Sequence, residues 1–334
     1  MKRFLECITA LASDDAFTRF QNNVTRELYH ALGAGYSNND DETNLVTRLV
    51  NAINGKSYGP LRIHATMLHG GRSHVKFRHM DSAVTTEVGD MAVVTLVTNA
   101  KDRLIQRICI VQNKKKTQKR WDIDLEQLYL LKNFPSFTGT RGIFRNRQDV
   151  VFRNVSGCLG AFGLFHSPGE LTLVSAPLVT ELLRGKKSLS ASDLSLMPSS
   201  CAAPWYAGPV PFAVWPVLGR AYPEEWSLIV KELAHYYSFP LGFAGLAAGF
   251  LGNVHFSRDL YDFMRNWTQL NIGETSFWYE RVLNAGVDAF SNFVIRCAGF
   301  SDLADFPPDS QSGDQNFERG PAVLLLHVDA SRAG

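Results

Sequence analysis

Residues 89–98, GDMAVVTLVT, and residues 103–112, RLIQRICIVQ, decide the fold. Both are runs of β-branched and other apolar residues. The polar segment 99–103 between them leaves room only for a short connection, so the pair predicts a β-hairpin. Register then places side chains. If the turn centres on Lys101, Asp90 stands opposite Gln112; if it centres one residue later, Asp90 stands opposite Lys114. Directly opposed residues share a side of a sheet, and Gln112 and Lys114 share one because they are two apart. In either register Asp90, Gln112 and Lys114 gather at one end of an otherwise apolar hairpin, an odd place for charge in a sheet that is only structural. The plain alternative is a cross-strand Asp90–Lys114 ion pair, worth at most about 1 kcal/mol when exposed.

Working outward, residues 1–36 read as helical with a polar interruption at Ser13-Asp14-Asp15. Asp40, Asp41 and Thr43 supply helix-start chemistry, and Leu45, Leu49, Val50 and Ile53 follow at helical spacing until Asn54-Gly55. Residues 60–70 read as a strand, and residues 71–80 as a second strand or the return arm of a hairpin. Downstream of the central hairpin, Asp124 opens a helix that stops before Pro135, residues 135–150 read as loop, and strands at 158–166 and 170–177 precede a helix at 176–185. A Pro-rich connector spans Pro198–Pro216. Beyond it the pattern is mostly helical, with helices from Pro223, from Ser257 and over Trp278–Ile295, a polar linker at 306–320 and a short strand, AVLLLHV, at 322–328. This predicts an α/β protein with a mixed central sheet flanked by helices, divided into an α/β domain at 1–190 and a mostly helical regulatory or partner-binding domain at 191–334.

Asp90, a hairpin, then Gln112-Asn113-Lys114 resembles the PD-(D/E)xK, or restriction-endonuclease-like, nuclease superfamily in its variant with Gln at the (D/E) position. The preceding Thr86-Glu87-Val88-Gly89-Asp90 and the acidic helix start at Asp41-Glu42 fit the same layout. The resemblance covers roughly residues 20–185 and leaves the rest of the chain unexplained. It implies a Mg²⁺- or Mn²⁺-dependent nuclease acting on DNA, with RNA as the second choice, in a bacterial defence system and under control of a partner or of oligomerisation. It also implies roles: Asp90 as central metal ligand, Gln112 offering a neutral carbonyl oxygen, and Lys114 orienting the nucleophile and stabilising charge in the transition state. Gln removes one negative charge from such a site. Glu42 and Glu87 are the candidate compensating ligands, although Glu87 converges with Asp90 only if it precedes the strand or if Gly89 bends the backbone. The rival reading is a silent nucleic-acid-binding or assembly subunit, with the Gln marking a lost site.

Charge supports a polyanionic partner. The chain has 34 Lys and Arg against 32 Asp and Glu, yet residues 1–190 hold 26 against 17 and residues 191–334 hold 8 against 15. Lys114, Lys115, Lys116, Lys119 and Arg120 follow on the candidate site, and Arg141, Arg145 and Arg147 lie in the next loop with Phe137 and Phe144 interleaved. Phosphate neutralisation and stacking on unpaired bases are the chemistry these residues offer.

Other signals exclude alternatives. Hydrophobic residues make up 45% of the 334 and charged ones 20%, which is a foldable globular composition. Five widely spaced cysteines without a CxxC pair read as reduced thiols of a cytoplasmic protein. The N-terminal apolar run contains Glu6 and ends at Asp14-Asp15, unlike a secretory signal. Residues 239–254 are too short and too broken to span a membrane. His64, His69, His74 and His79 recur every five residues, a spacing that builds no metal face, and no P-loop motif is present.

Overall fold

The computed structural model describes residues 2–12, 14–68, 73–116, 120–145, 147–148, 150–152, 157–195, 254–279, 281–307 and 321–332. The helices are α1 (Lys2–Ala12), α2 (Asp15–Ser37), α3 (Glu42–Ile53), α4 (Leu125–Asn133), α5 (Ala176–Leu183), α6 (Ala191–Ser195), α7 (Leu260–Thr268) and α8 (Ala285–Cys297). The strands are β1 (Ser57–Tyr58), β2 (Leu61–Met67), β3 (His74–His79), β4 (Ser82–Glu87), β5 (Met91–Asn99), β6 (Asp102–Lys115), β7 (Arg120–Asp122), β8 (Phe137–Gly139), β9 (Gly160–His166), β10 (Glu170–Ser175), β11 (Ser188–Ser190), β12 (Phe256–Ser257), β13 (Glu274–Trp278), β14 (Arg281–Val282) and β15 (Ala322–Asp329).

A mixed central sheet flanked by helices organises the chain. Its order is β1-β2-β15-β5-β6-β9-β10-β12, with β13 also paired to β6 and β14 to β13. At the site end the β5–β6 hairpin has the first of the two registers, Met91 pairing with Val111 and Val94 with Ile108; the register shifts by one between Val97 and Thr98, so that Asn99 pairs with Asp102 around a tight turn in which Ala100 takes a positive φ of 56°. β5 is buried along nearly its whole length, which is why its apolar residues run on without alternating. On one face, α1, α2, α3 and α7 cover a cluster that includes Val93, Cys109 and Val111. On the other, α4, α5 and α8 cover Val94, Ile108 and Ile110.

Several boundaries differ from the sequence reading. The polar interruption does divide two helices, α1 ending at Ala12 and α2 starting at Asp15: Asp14 caps α2, its carboxylate accepting from the Ala16 N–H at 2.8 Å. β3 does not return along β2. It pairs with β4 and β8 in a separate three-stranded sheet, because Met80 and Asp81 both adopt positive φ, the twist a two-residue hairpin turn needs. Met-Asp lacks the usual Asn-Gly signature, so β4 was invisible. The expected helix from Trp278 begins only at Ala285, and Glu274–Trp278 is a strand instead, held on β6.

The division at residue 190 is the larger correction. The described residues after 253 do not form a helical unit apart. β12 pairs with β10, β13 with β6, and β15 lies between β2 and β5, antiparallel to one and parallel to the other. A strand that hydrogen-bonds on both edges is part of one sheet whatever its place in the sequence. The Pro-rich connector, the helix from Pro223 and the apolar stretch 239–253 lie outside the described residues. Among the described residues, no helix is long and apolar enough to cross a membrane.

Candidate active site

β6 outruns its partner. β5 begins at Met91, opposite Val111, while β6 continues to Lys115, so the N–H groups of Asn113 and Lys115 face an edge that no strand occupies. Backbone donors in a partly buried edge demand acceptors. Two carboxylates supply them: Asp90 Oδ2 accepts from Asn113 N at 2.7 Å, and Glu42 Oε1 accepts from Lys115 N at 2.9 Å. Asp90 is fixed by its own backbone as well, its N–H donating to the Val111 carbonyl and its carbonyl accepting from Ala322 N at the start of β15. Glu42 is the first residue of α3, held there by Asp41, whose side chain caps Asn44 N. Two elements far apart in sequence thus deliver carboxylates to one strand edge.

Glu87 joins them electrostatically. It ends β4, before the central strand begins, and Gly89 allows the link to pass close to β6, since a Cβ there would stand 2.8 Å from Ile110 Cγ2 and 3.0 Å from the Val111 carbonyl oxygen. Of the two conditions the sequence set, the first is met, because Glu87 precedes the strand that begins at Met91. Burial first, then the charges of Glu87 and Glu42, push the Asp90 carboxyl up from 3.8 to about 7, against the stabilising Asn113 N–H and the Lys114 ammonium. Asp90 keeps a partly accessible surface.

On the α4 face of the sheet, Gln112 and Lys114 are joined by a residue the sequence did not single out. Lys114 Nζ donates to Gln127 Oε1 at 3.1 Å, Gln127 Nε2 donates to Gln112 Oε1 at 3.0 Å, and Gln112 Nε2 donates to Asp90 Oδ2 at 2.6 Å. Gln127 sits in the first turn of α4, whose start is fixed by Asp124 accepting from the backbone of Glu126 and Gln127. The helix packs close to β9: a Cβ at Gly160 would come within 2.1 Å of the Leu131 carbonyl oxygen. Polar Gln127 among Leu128, Leu130 and Leu131 on a buried helix was the available sequence signal. The simple cross-strand pair is not what forms. Among the described residues no ion pair joins Asp90 to Lys114; two glutamine amides stand between them.

Two of the candidate ligands hold other groups of the chain. The Gln112 carbonyl faces Gln127, and it is the amide nitrogen that meets Asp90. One Glu42 oxygen, Oε1, accepts from the Lys115 N–H. Among the described residues no group of three or more His, Cys, Asp and Glu is arranged to hold a metal ion. The donor chemistry nevertheless fits a hard divalent cation, because Mg²⁺ is commonly held by one or two carboxylates with water and phosphate completing its shell. Asp90 Oδ1 accepts no hydrogen bond from any described residue, and the neighbouring carboxylates already favour positive charge at that point.

The basic residues divide. Lys115 is engaged within the chain: its ammonium donates to Asn39 Oδ1 at 3.1 Å and to the Asp40 carbonyl at 2.6 Å, and lies 5.4 Å from the Tyr36 ring centroid. It ties β6 to the α2–α3 loop. Lys116 lies over the Trp121 ring. Arg147 is buried with its guanidinium 3.5 Å from the Phe293 ring centroid, so it belongs to the core. Phe137 and Phe144 are core residues too, Phe144 stacking on Phe290 at 5.2 Å, and neither is presented to a base. Arg120, Arg141 and Arg145 are exposed, and Lys119 lies outside the described residues. If these exposed arginines contact phosphate, Arg141→Glu with Arg145→Glu should weaken binding alike for all sequences and flatten the salt slope by about two. An unchanged slope in a fluorescence-anisotropy titration would make them ordinary solvated side chains.

Compared with known protein families, curated proteins and solved structures, the chain matches none.

Proposed function

We propose that this chain is a metal-dependent nuclease with a restriction-endonuclease-like core, hydrolysing phosphodiester bonds of DNA first and RNA second, with Mg²⁺ or Mn²⁺ as cofactor. The observation that carries the proposal is the meeting of Asp90, Gln112 and Lys114 at the overhanging end of β6, with Glu42 and Glu87 close enough to raise the Asp90 carboxyl. When bound, the cation supplies charge neutralisation at the phosphoryl oxygen and a more acidic water. Asp90 offers the accessible carboxylate oxygen. Lys114, once released from Gln127, places an ammonium where negative charge builds on the phosphoryl oxygens. Exposed Arg120, Arg141 and Arg145 hold the nucleic-acid backbone. A defence role, and control by a protein partner or a second copy, rest on the resemblance alone.

One observation favours the silent-subunit reading: the Gln112 carbonyl is turned away from Asp90. Digestion of plasmid, single-stranded DNA and RNA with Mg²⁺, Mn²⁺ or EDTA separates the two. The wild-type chain should cut only with metal, and Lys114→Ala should lose roughly 10²–10³ of the rate with nucleic-acid affinity nearly unchanged, since Lys114 acts on a charge that forms after binding. No cleavage of any substrate with either metal leaves the silent subunit.

A further inference from the structure

The direction of the Lys114–Gln127–Gln112–Asp90 chain is not arbitrary. An ammonium only donates, so Lys114 claims Gln127 Oε1 and turns Gln127 Nε2 toward Gln112. Gln112 answers with Oε1 and must turn its own Nε2 toward Asp90, a carboxylate that accepts. The two ionic ends therefore set the orientation of both amides. Gln112 is 4% and Gln127 7% exposed, so neither can exchange its partner for bulk water cheaply. A half-turned chain would set two N–H groups, or two carbonyls, against each other in a buried place.

We infer that Gln112 and Gln127 form an oriented relay coupling what occupies the Asp90 end to the hold on Lys114. Presenting Gln112 Oε1 to a cation at Asp90 brings Gln112 Nε2 onto Gln127 Oε1. Gln127, turned in its place, offers Nε2 to Lys114 and lets the ammonium go. Gln127 is a positioning residue in this scheme. The inference rests on the nuclease reading for the role of the cation, and it explains how a Gln at this position is compatible with activity: the site rests with Lys114 tethered and becomes competent only when loaded.

The test is calorimetric, with Mn²⁺ alone and the full chain, on the wild type, Lys114→Met, Gln127→Leu and the double variant. Removing the Lys114 charge tightens Mn²⁺ binding by simple electrostatics in either background. The relay adds to this only when Gln127 is present, because only then does Lys114 pin Gln112. Lys114→Met should thus tighten Mn²⁺ at least fivefold more in the parent than in Gln127→Leu. Equal factors in the two backgrounds overturn the relay, as does an absence of Mn²⁺ binding to the wild type. A second measurement needs no variant: in a Mg²⁺ titration of the wild type followed by NMR, the side-chain amide signals of Gln112 and Gln127 should move together. Movement of Gln112 alone overturns the inference. Cleavage assayed on the same proteins keeps the readings apart. Unequal Mn²⁺ factors without cleavage leave the relay and remove the nuclease; cleavage with equal factors does the reverse.

Discussion

At pH 8, Asp90→Asn is expected to melt several degrees above the parent chain and to cut nucleic acid slower by roughly 10³ or more. The two effects have one cause. Burial and the charges of Glu87 and Glu42 hold the Asp90 carboxyl at about 7, whereas in the unfolded chain it titrates near 3.8. Between those values the folded state keeps a proton that the unfolded state has lost, so stability falls as pH rises from about 4 to about 7 and stays low above. At about 1.4 kcal/mol per unit, the ionised carboxylate costs the fold on the order of 4 kcal/mol at pH 8. Asn removes that charge and keeps an oxygen that can accept from Asn113 N, so it recovers much of the cost and loses the oxygen pair a cation needs. The check is thermal melting from pH 5 to pH 8. The wild type should lose stability over this window and Asp90→Asn should not; Mg²⁺ should restore the wild type and leave Asp90→Asn unmoved. Parallel melting curves for the two proteins would mean that Asp90 is ionised at no cost, and the electrostatic account of the site would fail.

A chain ending at Gly320 is expected not to fold. β15 is buried over Ala322–Val328 and hydrogen-bonds to β2 on one edge and β5 on the other. Removing it exposes Val323, Leu324, Leu325, Leu326 and Val328, each worth about 1.5–3 kcal/mol when buried, a total comparable with the whole stability of an ordinary protein. It also opens two adjacent strand edges in the middle of the sheet. Far-UV circular dichroism and a melting curve decide the matter. A fragment 1–320 that melts cooperatively near the parent temperature would show that the N-terminal part is a domain in its own right.

The β5–β6 hairpin was legible because its information is local. Two β-branched runs and a short polar turn admit few registers, and with side chains alternating every residue either register brings Asp90, Gln112 and Lys114 together. The acidic start of α3, and the condition Gly89 imposes on Glu87, were legible for the same reason: caps, turns and close approaches leave marks on neighbouring residues. Arg147 and Phe144 show the limit. Each sits in a loop-like, basic stretch that reads as surface, and only the arrival of α8, with Phe290 and Phe293, makes that stretch core.

What the sequence by itself determined is the hairpin, the cluster at its end and the α/β class, all set by short-range periodicity and backbone sterics. What only the tertiary structure decided is where the last strand goes and what each polar group at the site touches. β15 enters between β2 and β5 because an apolar strand finds its two edges through burial, which is blind to sequence distance. Gln127 links Lys114 to Gln112, and Glu42 serves Lys115, because unpaired buried donors and acceptors take whatever partner packing brings within reach, and no spacing along the chain encodes that choice.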